Sequence, residues 1–258
     1  MIHTVFFDID CTLVSHETNC VPQSAQKALA LLQQQGIRRI IATGRHLSEL
    51  ESLPMEGLSF DGYLMLNGQL CYDNRKNLIY GNPLGGQSLD TLVSFFEQKA
   101  FPIMFIEKDR MYINFINDTV RLAQESMSAW MPEIDTFRGN TVYQAVAFIT
   151  PEQKELLLQQ LPECRIAQWM PLAVDIVPKA SGKAAAVARY LEYLGAERKG
   201  TMAFGDGSND VDMLKFVDIG VAVGNSEPHV QAAADYVTDH IDQDGIYNAL
   251  LHFGVIHE

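Results

Sequence analysis

Residues 4–12 read TVFFDIDCT, and this stretch decides the fold. The run from Thr4 to Ile9 is short and rich in β-forming residues, which is typical of a buried parallel strand that begins almost at residue 1. Asp8 and Asp10 stand two positions apart at the end of this strand, so its side-chain period of two directs both carboxylates to the same side. Ligands bind at this carboxyl end in open α/β sheets. A DxD pattern also occurs in plain turns, so it does not establish a site alone.

The residues that follow predict a strand, a helix and a second strand. Pro22 and Gly36 bracket an apolar helical pattern, with proline in its first turn and glycine as its cap. Ile37 to Ala42 then predicts strand two, and such a unit makes a right-handed crossover in a parallel sheet. Thr201 to Gly205 and Asp218 to Val223 are also strand-like. The sheet should therefore take strands from both ends of the sequence.

The middle of the chain differs from its two ends. It predicts strands with helical stretches between them, at Pro102 to Ile106, Met111 to Phe115, Val142 to Ile149, Arg165 to Trp169 and Ala173 to Val177. This mixture is typical of an α+β module. We therefore expect an α/β protein: a doubly wound, Rossmann-like parallel sheet core of residues 1–82 plus 181–258, with an inserted α+β cap domain of residues 83–180. Hinges are expected near residues 85–86 and 178–182.

Two further segments offer groups that bind anions. Thr43-Gly44-Arg45 follows strand two at the same sheet edge and offers a hydroxyl and glycine-enabled backbone N–H groups. A plain turn with an exposed arginine has the same sequence. Lys183 opens a helical run after Ser181-Gly182, so its ammonium and the helix N-terminus could both face a phosphate. A solvated lysine is the other interpretation, and Lys179 is a rival for the role.

A fourth segment favours a metal. Residues 205–210 read GDGSND directly after an apolar strand, which places two acids and an amide in a flexible loop. Hard oxygen ligands at a strand end suit Mg²⁺. The loop could also be a surface turn or a fragment of a calcium site, although it lacks the twelve-residue register of an EF-hand. Together, the four segments supply complementary parts of one phosphoryl-transfer site.

Composition excludes several classes of partner. The formal charge of −13 argues against nucleic acid and against an anionic membrane surface, because both need a basic footprint. The four cysteines form no CxxC pair, and the chain has no apolar run approaching the length of a membrane span. We therefore expect a soluble cytoplasmic protein. We also expect it to be a monomer or a weak homodimer.

The motifs resemble the haloacid dehalogenase-like superfamily, specifically its Cof-like branch of sugar-phosphate phosphatases. The four motifs of that family appear in order as Asp8-Ile9-Asp10-Cys11-Thr12, Thr43-Gly44-Arg45, Lys183, and Gly205-Asp206 with Asn209-Asp210. Asn67-Gly68 and Gly224-Asn225 also match that branch. Cys11 stands where many relatives have glycine, so we expect altered loop packing there rather than lost activity.

The resemblance implies a role for each of these residues. Asp8 attacks phosphorus, and Asp10 protonates the leaving oxygen and then activates water. Substrate phosphate is held by Thr43, Gly44, Lys183 and Asn209. Mg²⁺ is bound by Asp8, the Asp10 carbonyl and Asp206, and Asp210 supports the metal's shell.

These roles predict a magnesium-dependent phosphatase that hydrolyses small phosphorylated metabolites, such as sugar phosphates, through an aspartyl-phosphate intermediate on Asp8. A phosphomutase or phosphotransferase of the same superfamily would instead pass the phosphoryl group to another acceptor. A non-catalytic phosphometabolite sensor would keep the pocket only for binding, although such a protein has little need of Asp10. The cap is expected to close over the site, exclude water and select the substrate.

Overall fold

Strand β1 (Thr4–Phe7) lies inside an eight-stranded sheet, as its apolar sequence predicts. The structure, a computed structural model, describes residues 1–126 and 130–257. The remaining strands are β2 (Arg38–Ala42), β3 (Gly62–Met65), β4 (Leu70–Asp73), β5 (Leu78–Gly81), β6 (Ile103–Glu107), β7 (Met111–Ile113), β8 (Glu133–Ile134), β9 (Val142–Phe148), β10 (Cys164–Met170), β11 (Ala173–Pro178), β12 (Thr201–Gly205), β13 (Ile219–Ala222) and β14 (Tyr236–Val237).

The helices separate these strands. They are α1 (Gln23–Gln34), α2 (Gly86–Glu97), α3 (Asp118–Ser126), α4 (Pro151–Gln160), α5 (Lys183–Leu194), α6 (Val211–Phe216), α7 (Pro228–Gln231) and α8 (Gly245–His252). Pro22 immediately precedes α1, and Gly36 after it adopts a left-handed φ of 72°, which a residue with a side chain adopts at a cost. Gly36 therefore follows the end of α1 as the sequence predicts, whereas Pro22 lies just before the helix rather than in its first turn.

The chain packs as two compact units. The first unit contains residues 1–80 and 182–258, and the second contains residues 81–181. The first unit carries the eight-stranded sheet in the order β14-β13-β12-β1-β2-β3-β4-β5. Its strands from β14 to β3 all run parallel, and β4 pairs antiparallel with β3. The predicted doubly wound parallel core is confirmed.

Alternating side chains of the central strands pack against the helices of the first unit. Phe6 on β1 and Ile40 on β2 are fully buried in a cluster that includes residues of α5 and α6. Helix α1 contacts β2 and also α8. The neighbouring Phe7 stacks on Phe204 with ring centroids 5.4 Å apart, which ties β1 to β12. These contacts fix the ends of β1, β2 and β12 beside one another.

The second unit is an α+β module with its own core. Its six strands lie in the order β10-β11-β9-β6-β7-β8, and all neighbours are antiparallel except β7 and β8. Buried aromatic rings fill the space beneath this sheet, with Phe96 of α2 stacked on Phe105 of β6 at 4.5 Å between centroids. The predicted α+β insertion is confirmed as a fold, and its role as a cap stays a prediction.

Candidate active site

The predicted site residues of the first unit follow neighbouring parallel strands. Asp8 follows β1, Thr43 follows β2, and Asp206 follows β12, and β1 is the strand between the other two. The Asp8 amide donates to the carbonyl of Phe204 at 3.0 Å, which extends the pairing of β1 and β12 by one residue. The carboxyl ends of adjacent parallel strands meet at one edge, so the fold alone brings these residues together.

A buried lysine joins two of the aspartates. Lys183, the first residue of α5, has no exposed surface, and its Nζ donates to Asp8 Oδ1 and to Asp210 Oδ1 at 2.6 Å each. Burial acts to lower the pKa of Lys183, but the charges of Asp210 and Asp8 outweigh it and raise the pKa. Lys179 is exposed and lies in the second unit. Of the two lysines, Lys183 is the one placed against Asp8.

Three carboxylates surround this single ammonium. Oxygen atoms of Asp8, Asp206 and Asp210 all lie within 4.8 Å of one another. Burial, together with the negative charge of Asp210, raises the pKa of Asp8 well above its ordinary value. Burial also raises the pKa of Asp206 to about 6. The cluster therefore carries more negative charge than Lys183 balances, which is the condition that a bound cation relieves.

Local hydrogen bonds hold the acidic loop in place. Asp210 Oδ2 accepts from the backbone N–H of Asp206 at 3.1 Å and of Gly207 at 3.0 Å. Thr12 donates its hydroxyl to Asp206 Oδ1 at 2.8 Å. A Cβ at Gly205 would lie 2.5 Å from the Cβ of Asp210, so only glycine fits there. The glycine-rich sequence thus packs Asp210 directly beneath its own loop.

Asp10 has different partners from the other aspartates. Arg45 donates from Nε to Asp10 Oδ2 and from Nη2 to Asp10 Oδ1, both at 2.7 Å, and His16 Nε2 lies 2.9 Å from Oδ1. Burial acts to raise the pKa of Asp10, but the hydrogen bonds and charge of Arg45, with those of His16, lower it. The Asp10 carboxylate therefore stands apart from the side-chain cluster around Lys183. The metal contact that the resemblance implies for Asp10 is made by its backbone carbonyl oxygen.

The chain turns sharply after Asp10. Cys11 has a left-handed φ of 57°, which explains why glycine suits this position in the resembling family. The carbonyl of Ile9 accepts from the amides of Leu13 and Val14 at 2.9 and 2.8 Å, and the Asn225 side chain donates to the Cys11 carbonyl at 2.7 Å. This turn is thus held by the residues on both sides and by the loop after β13.

Thr43 and Asn209 are linked through Asn67. Thr43 is 1% exposed, and its hydroxyl accepts from the Arg45 amide at 3.2 Å. Asn67 has a left-handed φ of 52°. Its backbone N–H donates to the Thr43 carbonyl, and its side-chain Oδ1 accepts from the Asn209 side chain at 2.9 Å. A Cβ at Gly44 would lie 3.2 Å from the Asn67 side chain. The structure therefore brings all eight predicted site residues to one edge of the first unit's sheet.

Some contacts of this edge escape prediction from the sequence. His16 belongs to none of the four motifs, and the sequence around Arg45 is also typical of a turn with a solvent-exposed arginine. The pairing of Asn67 with Asn209 also depends on backbone torsions that the sequence does not dictate. The match of Asn67-Gly68 to the Cof-like pattern was the one signal that pointed to this loop.

Buried aspartates, a buried lysine and a hydroxyl at the carboxyl edge of a parallel sheet define a phosphoryl-transfer class of α/β hydrolase. The model of the haloacid dehalogenase-like hydrolase family matches residues 5–250, and the chain belongs to this family. YkrA of Bacillus subtilis (strain 168) is 32% identical to it over 98% of each chain.

Two solved structures extend the likeness. BT1666 from Bacteroides thetaiotaomicron, a phosphatase of the haloalkanoate enzyme superfamily, is 31% identical, with a TM-score of 0.90 over 99% of this chain and 96% of that one. The subclass IIB sugar phosphatase BT4131 is 35% identical, with a TM-score of 0.83 over 98% and 99% of the two chains. The predicted enzyme class, a phosphoric monoester hydrolase, is confirmed. Within residues 1–126 and 130–257, every helix is too short or too polar to cross a membrane.

Proposed function

We propose that this chain is a magnesium-dependent phosphatase that hydrolyses small phosphorylated metabolites, among them sugar phosphates, through an aspartyl-phosphate on Asp8. One observation carries the proposal: the buried ammonium of Lys183 lies 2.6 Å from Asp8 and from Asp210, beside a third carboxylate, Asp206. This arrangement provides a nucleophile next to a positive charge. It also provides carboxylate oxygens whose combined negative charge exceeds the charge of the ammonium. The naming of BT4131 as a sugar phosphatase supports the substrate class.

In the first half-reaction a carboxylate oxygen of Asp8 bonds to phosphorus as the bond to the leaving oxygen breaks. Asp10 donates its proton to that oxygen, which leaves as an alcohol. Lys183 offsets the negative charge on the phosphoryl oxygens, and Thr43 and Asn209 orient the group. Covalent transfer to Asp8 divides one difficult displacement into two easier ones.

In the second half-reaction the Asp10 carboxylate takes a proton from a water molecule. The hydroxide so formed bonds to phosphorus and displaces Asp8 as a carboxylate, which releases inorganic phosphate. Asp10 is then protonated again and can serve the next cycle, so one residue acts as acid and as base. Burial acts to raise the pKa of Asp10, but Arg45 and His16 lower it, which favours the carboxylate form that this step needs over the protonated form that the first half-reaction uses.

The residues present fit a hard divalent cation. Asp8 and Asp206 offer carboxylate oxygens, the Asp10 backbone carbonyl is the third ligand that we propose, and Asp210 supports the metal's shell. A bound Mg²⁺ would neutralise negative charge on the phosphoryl group during its transfer. Lys183 remains necessary because one ammonium and one divalent ion together balance the three carboxylates.

Three further assignments belong to this proposal. The second unit, residues 81–181, acts as the cap whose loops select the substrate. The free thiols of all four cysteines suit a reducing, cytoplasmic location. The protein works as a monomer or a weak homodimer, which size-exclusion chromatography with light scattering measures directly.

The decisive experiment measures phosphate release from a panel of sugar phosphates and p-nitrophenyl phosphate, with and without Mg²⁺. Asp8→Asn keeps the shape of the side chain but removes the nucleophile, and its expected result is complete loss of turnover. Asp73→Asn, at the last residue of β4, is the matched control and should keep wild-type rates. Turnover by Asp8→Asn would refute the proposal, and acceptor-dependent transfer without free phosphate would identify a phosphotransferase instead.

A further inference from the structure

The acid/base carboxylate of Asp10 is anchored differently from the other three carboxylates of the site. Asp8 and Asp210 are anchored by that lysine, and Asp206 is anchored by Thr12. The side chain of Asp10 is 31% exposed and follows the end of β1, where the backbone leaves the sheet. A carboxylate in such a position has several accessible rotamers, so something else must orient it for proton transfer.

Resting on the function proposed above, we propose that Arg45 is the positioning residue of Asp10. The guanidinium meets the carboxylate edge to edge, from Nε to Oδ2 and from Nη2 to Oδ1, at 2.7 Å each. Two parallel charge-assisted hydrogen bonds fix both the distance and the plane of the carboxylate, which a single bond or a lysine does not. His16 adds one contact to Oδ1 from the solvent side, at 2.9 Å.

Arg45 is itself held on the turn that carries Thr43. Its amide donates to the Thr43 hydroxyl at 3.2 Å, and its carbonyl accepts from the Leu66 amide at 3.1 Å. The remaining guanidinium nitrogen, Nη1, lies 3.9 Å from Glu49, whose other oxygen accepts from the His46 amide. The turn that offers the phosphate-binding hydroxyl therefore also sets the orientation of the acid/base.

This geometry leaves little of Arg45 for direct substrate contact. All three guanidinium nitrogens face carboxylates of the protein, two at Asp10 and one at Glu49. Arg45 therefore acts through Asp10. A partly exposed ion pair of this kind adds little to fold stability, so removing it should change catalysis far more than melting temperature.

The test uses Arg45→Gln and Arg45→Lys in the full-length, magnesium-loaded protein. Arg189→Gln, which removes an exposed arginine paired with Glu192 at 3.0 Å, is the matched control. Release of the leaving group is followed over the first turnover with glucose 6-phosphate and with p-nitrophenyl phosphate. Glucose needs a proton to leave, whereas p-nitrophenolate leaves as a stable anion. Misplacing an acid is expected to slow glucose release by about 100-fold, and the p-nitrophenolate burst should change by less than about tenfold.

A second measurement separates positioning from direct contact. If Arg45 acts through Asp10, then Arg45→Gln added to Asp10→Asn should lower steady-state turnover by less than about twofold. Arg45→Lys keeps the charge without the paired geometry and should fall between the wild type and Arg45→Gln. Melting temperatures within a few degrees of the control establish that both variants fold.

Three outcomes would overturn the assignment. Equal losses with both substrates, a multiplied loss in the double variant, or full activity of Arg45→Gln would each show that Arg45 does not position Asp10. The proposed function has its own criterion, because it fails only if Asp8→Asn still turns over. An inactive Asp8→Asn together with a fully active Arg45→Gln would therefore refute the role of Arg45 alone.

Discussion

Asp206→Asn should stabilise the metal-free protein at neutral pH and weaken its response to magnesium. The reason lies in the cluster of Asp8, Asp206 and Asp210, where burial and mutual repulsion disfavour the ionised forms. Asparagine keeps the Oδ1 oxygen that accepts from Thr12 and removes the charge. The substitution would thus remove a proposed metal ligand and increase the stability of the fold, which is common where function requires like charges to lie close together.

The size of the effect follows from the pKa of Asp206. Its rise from 3.8 to about 6 corresponds to at most about 3 kcal/mol, at about 1.4 kcal/mol for each pKa unit. Water reaches part of this carboxylate, so we expect about 1–2 kcal/mol. Because the pKa of Asp206 is raised in the folded state, the contribution of its protonated form to folding stability is full below pH 3.8 and is lost as the pH rises through 6. The gain from Asp206→Asn should therefore be complete above pH 6 and vanish near pH 4.

Thermal melting of EDTA-treated protein between pH 4 and pH 8 measures this gain. One kcal/mol shifts the melting temperature of a chain of this size by about 2–4 °C, so we expect an increase of about 2–8 °C at pH 7.5. Magnesium in 100-fold excess over its dissociation constant should stabilise the wild type by about 2.7 kcal/mol, and the variant by less.

Asp73→Asn provides a control of opposite sign. Hydrogen bonds from Asn77 and Arg75 lower the pKa of Asp73, so its contribution to stability is present at neutral pH and is lost as the pH falls. Removing that charge should slightly destabilise the protein at pH 7.5. The reasoning is refuted if Asp206→Asn lowers the melting temperature of the metal-free protein at pH 7.5, or if its gain is the same at pH 4.

Three other substitutions test separate parts of the structure. Lys183→Met should abolish turnover and lower the free energy of unfolding, measured by chemical denaturation, by about 3–5 kcal/mol, because it leaves buried carboxylates without their ammonium. Lys179→Met should keep wild-type stability and kcat. Equal effects of the two substitutions would contradict the assignment of Lys183 as the lysine of the site. Cys11→Gly should relieve the left-handed backbone at that position and raise the free energy of unfolding by about 0.5 kcal/mol, with kcat unchanged, so a loss of stability would count against strain there. Gly205→Ala should displace Asp210 and cost about 1–3 kcal/mol in denaturant unfolding, with loss of magnesium-dependent turnover, and a fully active variant would disprove this packing.

The position of the site could be predicted because parallel strands place their carboxyl ends at one edge of a sheet. Asp8, Thr43 and Asp206 each follow an apolar strand directly, so finding the strands located the residues. Lys183 followed from its place at the start of a helix behind Gly182. Its complete burial between two aspartates could not be predicted from the sequence, because a lysine side chain is usually exposed to solvent.

The contacts around Asp10 could not be predicted, for a physical reason. They join side chains of loops whose direction depends on left-handed residues, Cys11 at a φ of 57° and Asn67 at 52°. Residues other than glycine seldom adopt this conformation, so no sequence pattern announces it. The DxD motif therefore groups Asp8 with Asp10, while the structure turns one carboxylate to Lys183 and the other to Arg45.

The pairing of β1 with both β2 and β12 has a consequence for synthesis on the ribosome. β2 emerges soon after β1, but β12 follows only after the whole second unit has been translated. At about 5–20 residues per second, one edge of β1 waits many seconds for its partner. During that time an apolar strand edge is open to other chains, and Asp8 has neither Lys183 nor Asp206 beside it. The nascent protein is therefore most prone to aggregation, and lacks part of the proposed metal site, until its last quarter has been made.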